Sequence, residues 1–133
     1  MENSDDMGLG LKPGDRHYRA FVGPPEKYDI VAAMQFNLLT FMGLREYHYL
    51  VDIGCGSLRA GRLFIPYLLP ERYHGIEPEK WLVKEGIKKQ SISKFGVTFD
   101  FAVAQSIFSH ACQQQIHVCL NEISKCLKRD GDF

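Results

Sequence analysis

The chain has 133 residues, enough for one domain with its own core and short for two. Its 16 basic residues balance 16 acidic ones, so no overall field favours nucleic acid or an anionic membrane, and no apolar run approaches the length of a membrane span. Four cysteines form no Cys-x-x-Cys pair, and the opening "MENSDDMGLGLKPG" is the reverse of a secretory signal, so a reduced, cytoplasmic compartment is expected.

Residues 1–14 read as a mobile tail ahead of a single domain over 15–133. "GPPEKYDIVAAMQFNLLTFMGL" has a helix start in Pro24, Pro25 and Glu26 and a stop in Gly43. Ile30, Ala33, Met34, Asn37, Leu38 and Phe41 recur at three- and four-residue spacing, which predicts one buried face. "REYHY" connects to a first strand, Tyr49 to Ile53, apolar except for Asp52. After a glycine turn, Leu58, Ala60, Leu63, Phe64 and Leu68 suggest a helix that Pro66 ends or kinks near Ile65.

"RYHGIEP" is a second short strand closing on Glu77, and "EKWLVKEGIKK" a second helix with Lys84, Lys88 and Lys89 on a solvated face. "VTFDFAVAQS" alternates Phe99, Phe101, Val103 against Asp100, Ala102, Ala104; with only the aspartate polar, it reads as a strand covered on both sides. A last helix, about Gln113 to Lys128, carries Ile116, Leu120, Ile123 and Leu127 on one face and stops at Gly131. Strands alternating with helices argue for an α/β fold: a Rossmann-like parallel sheet with flanking helices.

In such a sheet, ligands bind beyond the carboxyl ends of the strands. Gly54 and Gly56 fall at the end of the first strand, where a missing Cβ allows a tight turn and close approach of a ligand. Gly-x-Gly alone also occurs in purely steric turns. Glu77, about twenty residues on at the end of the second strand, adds a carboxylate placed to accept both hydroxyls of a ribose. The dinucleotide fingerprint wants a further glycine where Arg59 stands, and Asp52 would repel a pyrophosphate. Beside a ligand carrying an ammonium group the same carboxylate helps. S-adenosylmethionine has a ribose, an ammonium and a sulfonium and no phosphate, so the charge pattern favours it.

"VDIGCGSLRAG", followed by "GIEP" and "FDFAVAQSIFSH", resembles the class I S-adenosylmethionine-dependent methyltransferases, small bacterial-type members most of all, over roughly residues 20–133. The resemblance implies that Asp52, Gly54, Cys55 and Gly56 hold the methionine portion and that Glu77 holds the ribose. It places Ala104, Gln105 and Ser106 by the transferring methyl, and Tyr28 and Gln35 near the cofactor on the helix before the first strand. Two departures stand out: Leu58 replaces a third small residue of the loop, and "LKRDGDF" resembles the helix end and turn before a fifth strand. The sheet is therefore expected to be incomplete on its C-terminal side, with the third strand abbreviated or missing. Phe99 to Gln105 would then be an exposed edge through which the chain self-associates.

Blander readings stand beside these. Asp52 has an alternative as a helix cap. Arg59 is expected to point to solvent, the alternative being that it joins Ser57 at the methionine carboxylate. Cys112, Cys119 and Cys126 lie about 10 Å apart along one helix face, too far for one metal, and read as small core residues; no metal is expected. Trp81 fits either an adenine or the core. His110 is the candidate catalytic base, with a surface or helix-start histidine as its alternative, since methyl transfer needs mainly in-line positioning. The reading is an S-adenosylmethionine-dependent methyltransferase acting on a small-molecule acceptor, without nucleic-acid or membrane partners. Its alternative is a non-catalytic cofactor-binding or interaction module, supported by the early end of the chain.

Overall fold

Every residue of β1 (Leu50–Ile53) is buried, as a parallel strand covered on both faces has to be. The computed structural model describes residues 6–87, 98–105 and 107–132. β1 pairs in parallel with β2 (Tyr73–Ile76) and with β3 (Phe99–Val103), and β4 (Leu127–Asp132) pairs in parallel with β3. The order is β2-β1-β3-β4. Four helices connect and cover the strands: α1 (Tyr28–Phe41), α2 (Gly61–Tyr67), α3 (Lys80–Ile87) and α4 (Gln113–Cys126).

Alternation along β1 sends Leu50 to one layer and Val51 and Ile53 to the other. Leu50 joins Leu39, Phe64, Tyr73 and Phe101 in a core beneath α1 and α2. Val51 and Ile53 join Phe99, Ala102 and Ile123 beneath α4. The alternation expected for β3 is interrupted. The amides of Asp100 and Phe101 both donate to the Tyr49 carbonyl, at 2.9 and 3.1 Å, which is the geometry of a bulge. Phe99 and Phe101 consequently belong to opposite layers.

Three expectations are corrected. The sheet continues past β3, because residues 127–132 are strand rather than helix end and turn, and β3 is an interior strand. Lys128 Nζ meets Asp100 Oδ1 at 2.8 Å, while Asp100 Oδ2 accepts the Tyr49 amide at 2.8 Å, so one side chain ties three strands together. The buried face of α1 is Tyr28, Ala32, Gln35 and Leu39, and the stripe expected inside is exposed. α1 is apolar almost all round, so periodicity could not choose a face; the contacts did, with Phe36 packing on Phe64 and Tyr67. Cys112 and Cys126 are exposed rather than core, because α4 reaches the sheet through Cys119 and Ile123. Pro66 lies within α2, which runs on to Tyr67. Most of the stretch between the second helix and Phe99, where a third strand was expected to be abbreviated or missing, lies outside the described residues, as do Lys88 and Lys89.

Candidate functional site

The carboxyl ends of β1 and β2 meet at the glycine turn. Gly54 and Gly56 both take positive φ, 71° and 57°, which side chains rarely adopt. The turn is held by carbonyls of the next strand: the amides of Gly54 and Cys55 donate to the Ile76 carbonyl at 2.8 and 3.1 Å. Glu77, one residue on, accepts the Gly56 amide through Oε2 at 3.0 Å and the Glu79 amide through Oε1 at 3.0 Å. The carboxylate expected to bind a ribose therefore stands directly against the glycine turn. Leu58, where the resemblance wanted a small residue, keeps the left-handed backbone (φ 62°) and buries its side chain in the core.

Asp52 sits behind this turn, almost without exposure. Tyr73 Oη donates to its Oδ2 at 2.7 Å, and burial outweighs that bond and the nearby Arg59 charge, pushing the carboxyl up to about 6. Strand register explains the pair: Asp52 lies opposite Gly75, which brings Tyr73 within diagonal reach. Gly61 completes the fit, since a Cβ there would stand 2.8 Å from Tyr73 Oη. Burial likewise lifts the Cys55 thiol to about 12, so it is a packing residue rather than a nucleophile.

Arg59 does not point to solvent. Its Nη1 donates to the Val22 carbonyl at 2.9 Å, and burial lowers its pKa while Tyr28 and Asp52 oppose that effect. The bond belongs to a strap formed by residues 13–23 across the turn. Ser57 Oγ donates to the Tyr18 carbonyl at 2.7 Å, so the Tyr28 hydroxyl, 3.0 Å from Ser57 Oγ, acts as donor to it. Phe21 meets the Trp81 ring edge-on at 5.1 Å, and the Arg16 guanidinium lies 5.3 Å from that ring. Trp81 is thus clamped by the strap and is not a core residue.

Strap and turn enclose a cleft of about 490 Å³, walled by Gly14, Val22, Gly54, Gly56, Arg59, Glu77 and Gln105, within the size range of small-molecule sites. Asp52, Gln35 and Cys55 line a smaller recess that shares Gly54, Gly56, Arg59 and Gln105 with it. The structure therefore brings together Asp52, Gly54, Cys55, Gly56, Glu77, Gln105 and Gln35 from the expected set. Tyr28 stands behind them against Ser57, and Ala104 packs into the α4 layer. Ser106 and the His110 side chain lie outside what is described; the His110 backbone closes a short 3₁₀ turn, Phe108–His110. Tyr73 and the strap were missed by sequence reasoning, and Arg59 was expected at the surface, with a place beside Ser57 at the methionine carboxylate as its alternative. Register between the two strands could have found Tyr73, but nothing local marks Val22 or Tyr18. Among the described residues no group of three or more His, Cys, Asp or Glu could hold a metal, and no helix is long and apolar enough to cross a membrane.

No protein-family model matches the sequence, and no curated protein matches it. Solved structures do match the fold. The chain is similar to magnesium protoporphyrin IX methyltransferase from Synechocystis, solved with bound S-adenosylmethionine: TM-score 0.63, 12% identity, 78% of this chain and 56% of that one. It is similar to an amino pentose methyltransferase from Micromonospora echinaspora, also S-adenosylmethionine-bound: TM-score 0.59, 16% identity, 76% of this chain and 47% of that one. A TehB-like S-adenosylmethionine-dependent methyltransferase from Corynebacterium glutamicum matches at TM-score 0.55 and 16% identity, over 80% of this chain and 70% of that one. The chain spans about half the length of the first two. It has the Rossmann-like fold of these methyltransferases.

Proposed function

We propose that this chain binds S-adenosylmethionine and directs its methyl group to a small-molecule acceptor, in a cytoplasmic setting. The observation that carries the reading is the Glu77 carboxylate held at 3.0 Å from the Gly56 amide, at the rim of a cleft backed by buried Asp52. The residues fit the group. Glu77 has acceptor capacity left for ribose hydroxyls, and Asp52 places a carboxylate where a cationic amino acid end would lie. The glycine turn offers close backbone approach, with one adjustment. Val22 Cγ1 lies 2.7 Å from where a Gly56 Cβ would stand, and Ile107 crowds the same position at Gly54, so both side chains must yield to a ligand lying on the turn.

The bound cofactor would supply a methyl group activated by a sulfonium. The chain's own contribution is position. Glu77 would fix the nucleoside end, the glycine turn with Asp52 and Arg59 would hold the amino acid end and set the charge around it, and Gln105 stands on the wall where an acceptor would approach. A strong base is not needed for a good nucleophile, and orientation supplies most of the advantage; His110 is the candidate where a proton has to leave.

Isothermal titration with S-adenosylmethionine, its demethylated product and a nicotinamide dinucleotide tests the assignment. The first two are expected to bind more tightly. Tighter binding of the dinucleotide overturns it, and release of demethylated product with a panel of O, N and S acceptors tests turnover.

A further inference from the structure

The outer face of α1 carries an apolar stripe that no other described residue covers. Ile30, Met34, Leu38 and Phe41 are 59%, 64%, 56% and 90% exposed. Their spacing of four, four and three residues keeps them in one straight row about 16 Å long. No residue between Ile30 and Leu44 carries a charge, and Asn37 is the polar residue beside the row, whereas a helix whose outer face meets water is mostly polar or charged there. With Met42, also exposed, the row presents on the order of 500 Å² of apolar surface, the upper end of what a monomer shows.

Charge decides between occupants. Helices that lie in a lipid surface flank the apolar face with Lys and Arg. α1 contains neither, and its one charged residue, Asp29, is taken by Arg19 and Arg62. The sheet edges offer no continuation of the patch: β2 is four residues long, and β4 carries Lys128, Arg129 and Asp130, which discourage pairing. A second copy matches the row. Turned antiparallel about a two-fold axis, Ile30 of one helix meets Phe41 of the other and Met34 meets Leu38, so the stripe is complementary to itself. The same rotation brings the chain before α1, with exposed Glu26, towards the chain after it on the other copy, where exposed Arg45 holds the Thr40 and Leu44 carbonyls through Nη1 and has its other donors left for a carboxylate. It also aligns the two helix dipoles head to tail. The patch approaches the roughly 800 Å² that each partner gives to a standard interface.

We propose that two copies of this chain dock antiparallel along α1, through Ile30, Met34, Leu38 and Phe41. The surface lies on the side of α1 away from Tyr28, Ala32 and Gln35, so it leaves the cofactor cleft free.

Sedimentation velocity from about 1 to 100 µM reads the equilibrium by mass action. A concentration-dependent dimer is expected for the native sequence, and a monomer for Leu38→Glu and for Phe41→Glu with unchanged circular dichroism, since neither side chain is core. Glu26→Lys and Arg45→Glu, each with circular dichroism unchanged because Arg45 also holds the Thr40 and Leu44 carbonyls, are expected to weaken the dimer about tenfold by opposing like charges, and an equimolar mixture of the two is expected to restore it as a heterodimer. A native chain monomeric at the highest concentration overturns the proposal, as does a dimer indifferent to Leu38→Glu and Phe41→Glu. A mixture no tighter than its components overturns the antiparallel arrangement. Binding to neutral phosphatidylcholine vesicles that Phe41→Glu abolishes, without dimer formation, overturns it in favour of a lipid surface.

Discussion

Glu77 and Gly56 are joined across the end of the sheet: Oε2 of the carboxylate accepts the glycine amide at 3.0 Å, while its other oxygen accepts the Glu79 amide. One side chain thus fixes the turn after β1 and the entry to α3. It holds together the two loops at the rim of the cleft.

Glu77→Ala is therefore expected to do two things. It should weaken S-adenosylmethionine by about 1.5–3 kcal/mol, the scale of hydrogen bonds to a charged group. It should also cost about 1 kcal/mol of stability, because the Gly56 amide loses its acceptor. Titration calorimetry and urea unfolding measure the two separately. Unchanged affinity in a folded variant removes Glu77 from the site.

Asp52 gives the protein a pH dependence of unusual sign. Its folded pKa is raised to about 6 from 3.8, so the native state holds the proton more tightly than the unfolded chain. Its contribution to stability is complete below about pH 4 and is lost as pH rises through about 6, a fall of about 3 kcal/mol at most. Asp52→Asn should flatten that window in urea titrations at several pH values. Affinity for a cationic ligand should move the other way, rising from pH 5 to 7 in the native protein and not in Asp52→Asn.

Tyr73→Phe removes the hydroxyl that donates to Asp52 at 2.7 Å. The carboxylate form loses its partner, so the Asp52 pKa should rise further and the pH window of stability loss move upward. A variant whose window stays in place shows that Tyr73 does not hold the charge.

Leu58 combines a buried side chain with φ 62°. Leu58→Ala loses the burial and keeps the strain, and is expected to cost about 3 kcal/mol. Leu58→Gly loses the same burial and relieves about 1 kcal/mol of left-handed strain. The usual ranking of alanine over glycine should therefore reverse. Urea midpoints of the two variants decide it, and alanine proving the more stable would mean that the left-handed strain is not felt.

β3 is expected to behave as an interior strand. The Ala102 amide, which alternation turns towards β4 because the Phe101 amide is held by Tyr49, should exchange as slowly as those of Phe101 and Val103, and Asp100→Ala should cost about 1–2 kcal/mol by freeing the Tyr49 amide. Fast exchange at Ala102 beside protected Phe101 and Val103 would show that β4 does not dock.

The first three strands, the glycine turn and the acid that answers it were legible in the sequence because each rests on short-range rules. Apolar runs of strand length, glycines at a left-handed turn and a carboxylate one strand later have the same meaning in most contexts. Even there the turn held a surprise, since Leu58 keeps a glycine's backbone. The face of α1 was not legible, because a helix apolar nearly all round satisfies the periodicity rule on more than one side. Tyr28 reaching Ser57 and Phe36 reaching Phe64 and Tyr67 chose the buried side, and exposure of the other follows. β4 was hidden because "LKRDGD" is charged and contains a glycine; its strand conformation comes from pairing with β3 and from Lys128 meeting Asp100. The inward turn of Arg59 was decided by a carbonyl of the strap, on Val22. Local chemistry fixes which backbone turns are available; which side chains those turns bring together is settled by contacts between residues far apart in the chain.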